Sequence, residues 1–157
     1  MYDITLNGNA TTAYELWATS KSLVGATDRA FDADPDMDGI KNGLEWVLGG
    51  NPKANDSPSV LPVVTGNVAT GLTLVFGREA TSIPETDLLV QWDTTLPPVA
   101  HSVPVLGVDS PADGFGVIVD VDFPTTGKVK VNIPNSNAAA GKLFGRMKVT
   151  QKAVIVP

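Results

Sequence analysis

The amino-acid sequence predicts a mostly β protein, built as an antiparallel sandwich of short strands that follows a small helical segment. From about residue 60 onward, apolar residues recur with the period of two that is typical of strands. Residues 1–52 instead show two helical patterns on either side of an acidic loop. The intervening GGNPKANDSP is rich in residues that break regular structure. We therefore predict a helical segment at 1–52, a connector at 53–59 and a sandwich at 60–157.

Each predicted strand has one apolar face, as expected for a sheet that covers a core on one side. No helical period separates the strands, which disfavours a parallel α/β fold. The pattern does not distinguish an immunoglobulin-like or fibronectin-like order from a jelly roll. Shorter strands are predicted at 60–64, 102–106 and 153–156. The apolar faces are Leu72, Leu74 and Phe76; Leu88, Val90 and Trp92; Phe115, Val117, Val119, Val121 and Phe123; Val129, Val131 and Ile133; and Leu143, Met147 and Val149.

The first helix is predicted to begin after Thr12, whose hydroxyl can accept hydrogen bonds from free backbone amides, with Glu15 completing a capping box. It is expected to end near Gly25, before the acidic loop begins. The second helix is predicted over about 40–48. Two glycines and a proline follow it and stop it.

The acidic loop, DPDMDGIKNGLE, matches the calcium-loop pattern D-x-D-x-D-G-x5-E without a gap. Calcium takes six to eight oxygen ligands, and alternate positions of a tight loop supply them. A glycine at the sixth position allows the sharp turn, and a glutamate at the twelfth gives two oxygens. The predicted ligands are Asp34, Asp36, Asp38, the backbone carbonyl of Ile40, Asn42 and Glu45.

Acidic runs and Asp-Gly turns also occur on solvated surfaces without any ion. Here three aspartates and a distal glutamate would repel one another unless a cation were present. Because the first helix is expected to end near Gly25, the loop lacks the entering helix of a full EF-hand. We therefore predict a two-helix, dockerin-like calcium-loop subdomain that holds a structural Ca²⁺ and does not act as a sensor.

Composition limits the remaining function classes. A net charge of −6 argues against nucleic-acid binding, since few cations are available to neutralise phosphates. The absence of cysteine excludes disulfides and thiolate zinc sites. No apolar run approaches the length of a membrane span, and the N-terminus has no signal-peptide pattern.

Catalysis is not expected. The chain has one histidine, His101, and lacks both a G-x-S-x-G elbow and an H-E-x-x-H motif. Asp120 and Asp122 lie two residues apart on the polar side of a predicted strand, which is typical of a solvated face.

The alternative function is a carbohydrate-binding module attached to a polysaccharide-degrading enzyme. Such modules bind sugars on flat exposed aromatic rings. Most aromatic residues of the β region are in phase with the aliphatic face of their strands and are expected in the core. The two candidates for an exposed or inter-domain ring are Trp46 and Phe144.

The motifs YELWATSKSLVG and DADPDMDGIKNGLEWVLGGNP, followed by LTLVFGRE, DLLVQWDTTL and KLFGRMKVT, resemble an accessory module. That module is found near the C-termini of large secreted proteins of Verrucomicrobia and Planctomycetes. The resemblance is specific up to residue 52 and looser beyond. It implies an extracellular or cell-surface location, a non-catalytic accessory or surface-attachment role, and a neighbouring domain of a larger protein as partner. It also implies metal roles for Asp34, Asp36, Asp38 and Glu45.

Overall fold

The computed structural model describes residues 11–97, 100–122 and 126–153. Among these residues 33% lie in strands and 21% in helices, and this confirms a mostly β chain. None of the described helices is long and apolar enough to cross a membrane. The helices are α1 (Ala13–Ser20), α2 (Gly25–Asp28), α3 (Asn42–Leu48) and α4 (Ser57–Val60). The strands are β1 (Val63–Asn67), β2 (Gly71–Gly77), β3 (Thr86–Asp93), β4 (His101–Pro104), β5 (Ile118–Asp122), β6 (Lys128–Ile133) and β7 (Phe144–Gln151).

The strands form two sheets in which every neighbouring pair is antiparallel. One sheet has four strands in the order β1-β2-β6-β5, and the other has three in the order β4-β3-β7. In the larger sheet Leu74 lies opposite Val131, and in the smaller sheet Val90 lies opposite Met147. These pairs bring apolar residues of adjacent strands onto the same face, which fixes the register.

The buried faces of both sheets contribute to one hydrophobic cluster, as the period-two pattern predicts. Helix α3 adds Val47 and Leu48 to the same cluster. The strand residues of the cluster are Leu74, Phe76, Leu88, Val90, Trp92, Val103, Val119, Val129, Val131 and Ile133, with Val105 and Val117 beside them.

Phe115 is not a core residue, contrary to the sequence prediction. Its side chain is 48% exposed, and its ring packs against His101 with centroids 4.5 Å apart. The cause is local: the carboxylate of Asp113 accepts hydrogen bonds from the amides of Phe115 and Val117, so a turn precedes β5. Strand alternation therefore does not extend back to Phe115.

The ends of the β region also differ from the prediction. The first strand begins at Val63 instead of residue 60, because Ser57–Val60 form a helical turn. All five residues of that strand are exposed. The predicted strand at 153–156 falls largely outside the described residues, as does Phe123.

Helix α1 begins after Thr12, whose hydroxyl accepts a hydrogen bond from the amide of Glu15 at 3.1 Å. The reciprocal bond of a capping box is not formed by Glu15, because its carboxylate pairs with Arg29. Instead, the carboxylate of Glu85 accepts hydrogen bonds from the amides of Ala13 at 2.6 Å and Tyr14 at 3.2 Å. A residue just before β3 therefore caps the first helix.

Helix α3 joins the helical segment to the larger sheet. The amide of Glu79 donates to the carbonyl of Val47 at 2.8 Å. A Cβ on Gly77 would lie 2.9 Å from the carbonyl oxygen of Leu48, so only glycine permits this close approach. The hydrophobic core therefore contains residues from both sides of the predicted connector at 53–59. The division of the chain into a helical segment and a sandwich stays a prediction.

Replacing Glu85 with alanine is expected to lower the free energy of unfolding by about 1–2 kcal/mol, because two amides at the start of α1 lose their acceptor. The measurement is a denaturant melt. Asp87→Ala is the control, since the side chain of Asp87 makes, among the described residues, an exposed ion pair with Lys152 at 3.5 Å and no hydrogen bond that caps a helix. The control should change stability by less than about 0.5 kcal/mol. Equal melts for the two variants would contradict the capping role.

Candidate metal centre

The acidic loop is folded by its own carboxylates. Asp36 and Asp38 each accept a hydrogen bond from the amide two residues ahead, at 3.3 and 2.8 Å, which is the geometry of an Asx turn. Asp34 reaches further and accepts from the amide of Gly39 at 3.0 Å. Gly39 has φ of +91°, a backbone conformation that glycine adopts without strain. The aspartates thus close the loop on itself.

The same fold brings three carboxylates together. Asp34, Asp36 and Asp38 each place one oxygen within 4.8 Å of the other two. In both Asp34 and Asp36 the two carboxylate oxygens have different surroundings. One oxygen of each binds the loop backbone, and the other (Oδ1 of Asp34, Oδ2 of Asp36) is buried without a hydrogen-bond partner among the described residues.

Glu45, in the first turn of α3, is a fourth acidic residue close enough to feel the charges of the triad, although it is outside the group whose oxygens lie within 4.8 Å of one another. Its side chain is 0% exposed, and neither Oε1 nor Oε2 has a hydrogen-bond partner in the described part of the chain. Burial, followed in order of size by the charges of Asp36, Asp38, Asp56 and Asp34, raises the pKa of Glu45 to about 8. Glu45 therefore lies in a negative environment that opposes its ionised form.

The unpaired carboxylate oxygens are confined to this region. The chain has 17 acidic residues, but among those described only four have a buried carboxylate oxygen without a partner. These four are Asp34, Asp36, Glu45 and Asp56. Buried acceptors normally find a donor. A group of acceptors that all lack a donor, and that form no salt bridge within the described residues, has the chemistry of a site for a hard metal ion.

Ile40 and Asn42 fill structural positions beside this group. The amide of Ile40 donates to Asp38, and its side chain is buried. The fully buried Asn42 donates from Nδ2 to the carbonyls of Asp28 at 2.7 Å and Ala30 at 2.8 Å. It thereby ties the end of α2 to the start of α3. Ligand roles for Ile40 and Asn42 stay predictions.

The segment entering the loop is more ordered than the sequence suggests. The single turn of α2 precedes it, whereas no entering helix is predicted. Beyond α2, the amide of Gly43 donates to the carbonyl of Phe31 at 2.8 Å. A Cβ on Gly43 would lie 2.2 Å from Cε1 of Phe31, so any larger residue at position 43 would clash with the ring.

Trp46 is not an exposed ring, so the expectation of exposure is wrong, while a ligand role for Trp46 stays a prediction. It is 0% exposed and contacts Tyr14 edge-on, with ring centroids 5.3 Å apart. Its indole packs between α3 and α1 and is inaccessible to a sugar. Phe144 is half-buried at the start of β7, opposite Asp93. A ligand role for Phe144 stays a prediction.

Asp56 is the acidic residue that sequence reasoning missed. It lies in the predicted connector, 11 residues beyond the last position of the loop motif. Its Oδ2 accepts from the amide of Asn51 at 3.0 Å, while Oδ1 is buried and unpaired. The neighbouring amide of Ser57 donates to Oδ2 of Asp38 at 3.0 Å. No spacing rule for calcium loops includes this position, so only folding of the connector reveals it.

Replacing Asn42 with aspartate separates its two assigned roles. The variant keeps an oxygen for a metal ion but loses both hydrogen bonds to the carbonyls of α2. We expect the free energy of unfolding to fall by about 1–3 kcal/mol with or without calcium. Asn137→Asp is the control, since Asn137 makes an exposed hydrogen bond to Phe115. Full stability in calcium alone would instead indicate that Asn42 is chiefly a ligand.

Comparisons with known proteins place this chain in no family. No protein-family model matches it. No curated protein and no solved structure matches it either.

Proposed function

We propose that this chain is a non-catalytic, calcium-binding accessory module in which the ion is structural. The proposal rests on Glu45. A fully buried carboxylate with two unpaired oxygens is costly without a cation, since burial removes its hydration and nothing replaces it. Next to the aspartate triad, a divalent cation would neutralise several charges at once.

Calcium is the cation that the donors favour. The unpaired buried side-chain oxygens of this region are carboxylate oxygens and the amide Oδ1 of Asn42, and such oxygens suit calcium, magnesium and manganese and do not suit the softer metals. Calcium accepts six to eight ligands in flexible arrangements, whereas magnesium demands a near-ideal octahedron and keeps its waters. A loop with several carboxylates and a glutamate that supplies two oxygens fits the larger ion.

A structural role agrees with how the loop is anchored. Helix α2 has only one turn, and α3 has Val47 and Leu48 in the shared core. A helix fixed in this way is poorly suited to the opening motion of calcium sensors. Single sites in extracellular modules bind calcium with dissociation constants of about 10⁻⁴–10⁻³ M. We expect this range here.

We also infer that the two sheets stack as a sandwich, because their buried faces contribute to one cluster. The resemblance to accessory modules of secreted proteins supports an extracellular or cell-surface setting in a larger protein. A non-catalytic role is supported by His101, whose ring stacks on Trp92 with centroids 4.2 Å apart. That histidine contributes to packing at the sheet edge.

The alternative, a carbohydrate-binding module, has less support, because one of its two candidate rings is buried. Trp46 is buried between helices, and Phe144 is a single half-buried ring. A sugar-stacking face generally needs flat, accessible aromatic surface. We therefore propose the calcium function alone.

Replacing Glu45 with glutamine is expected to stabilise the protein in the absence of calcium and to remove most of the stabilisation that calcium gives. Without calcium at neutral pH the variant should melt at a higher temperature than the wild type, because glutamine avoids the free-energy cost of a carboxyl whose pKa is raised from 4.5 to about 8 on folding. With millimolar calcium it should gain little, whereas the wild type should gain about 1–3 kcal/mol. Thermal melts and calorimetric titration of the metal-free protein with calcium measure both effects.

Asp120→Asn is the matched control for charge, since Asp120 lies exposed on β5 opposite Lys130. It should leave calcium affinity within about twofold of the wild-type value, because surface charges this exposed interact weakly. A wild-type protein that shows neither binding heat nor stabilisation at millimolar calcium would refute the proposed function.

A further inference from the structure

We propose that Asp56, outside the loop motif, supplies a further carboxylate to the same calcium ion, so that the ion fastens the connector onto the loop. This inference rests on the proposed function. It extends the site from one continuous loop to two segments of chain, the acidic loop and residues 50–57.

The first support is the way in which Asp56 divides its oxygens. Like Asp34 and Asp36, it uses one oxygen to hold nearby backbone, here the amide of Asn51, and buries the other without a partner. An aspartate that only capped the turn would expose its second oxygen to water or pair it with a donor. Oδ1 of Asp56 does neither among the described residues.

The second support is the path of residues 50–57 around Glu45. The amide of Gly50 donates to the carbonyl of Glu45 at 2.7 Å. A Cβ on Gly50 would lie 3.3 Å from Oε1 of Glu45 and 3.3 Å from Cγ1 of Val60. The chain thus passes directly over the unpaired glutamate oxygen before it reaches Asp56.

The third support is a bond that joins the two segments. Asp38 accepts from Ile40 within the loop through Oδ1 and from Ser57 in the connector through Oδ2. The residue next to Asp56 is therefore held against the triad without any ion. This contact brings the Asp56 backbone close to the loop, although 11 residues separate it from Glu45 along the chain.

The consequence is that calcium would stabilise the connector as well as the loop. Val60, at the end of α4, packs against the core shared by both sheets. Binding at Asp56 would then link the ion to the sheets through the four residues of α4. Calcium removal should loosen residues 50–57 together with the loop.

The experiment combines calcium titration with trypsin digestion of the full chain. Asp56→Asn keeps an acceptor for the amide of Asn51 but removes the negative charge, so it should remain folded. Its calcium dissociation constant is expected to rise about tenfold. Asp56→Ser, with a shorter hydroxyl acceptor and no carboxylate, is the second variant. Asp120→Asn is again the charge control.

Trypsin reports on the connector at Lys53, an exposed residue between Asn51 and Asp56. In the wild type, calcium should slow cleavage there by about tenfold or more, since cleavage requires local opening. The protection should be lost in both Asp56 variants at calcium concentrations that still saturate their loops. Cleavage at the exposed Lys142, before β7, should not respond to calcium.

The outcomes separate the two proposals. If the wild type binds calcium and Glu45→Gln does not, but both Asp56 variants bind like the wild type, only the role of Asp56 is refuted. Cleavage at Lys53 that calcium slows equally in all variants also refutes it. A wild type without calcium heat or protection refutes the calcium site and, with it, this inference.

Discussion

The interaction on which the described structure of residues 11–60 depends is the confinement of negative charge around Glu45. Burying an ion without compensation costs several kcal/mol, and like charges nearby add to that cost. Yet Glu45 lies on α3, whose next residues, Trp46, Val47 and Leu48, are all buried. Apolar packing thus holds the helix in place, and the carboxylate cannot turn out to water without displacing it. The fold imposes an electrostatic strain that a cation would relieve, and that strain connects the core to the proposed metal site.

The supports around this site are mostly neutral hydrogen bonds and close packing. Asn42 satisfies two carbonyls of the α2 segment, Gly43 leaves room for the ring of Phe31, and Gly50 passes beside the carboxylate. None of these contacts requires an ion. They place the acidic oxygens in advance, so that binding would cost little rearrangement of the backbone. At the N-terminus of α1, Glu85 likewise holds backbone from a distant part of the sequence, because its carboxylate accepts hydrogen bonds from the first amides of the helix.

The sequence predicted those features that follow from local periodicity and local spacing. The alternation of apolar residues identified the buried positions of β2, β3 and β6, because each of these strands has one buried face. The aspartate spacing identified the triad, because a tight loop closes by bonds over two to five residues. Phe115 was placed incorrectly because alternation cannot show where a turn driven by Asp113 interrupts a strand. Trp46 was misjudged because its partners, Tyr14 and Trp17, lie on another helix.

Asp56 and Glu85 show the limit of sequence reasoning for this chain most clearly. Each is an ordinary acidic residue in a segment rich in turn formers, with no neighbour in sequence that assigns it a role. Each receives its role from amides or carboxylates that only tertiary packing brings near. A search based on motif spacing stops at Glu45, since the pattern ends there. A residue such as Asp56, proposed to contribute to an ion site from a second segment, differs from other surface acids by its unpaired buried oxygen, so unsatisfied buried polar atoms are a more general sign of such sites than motif spacing.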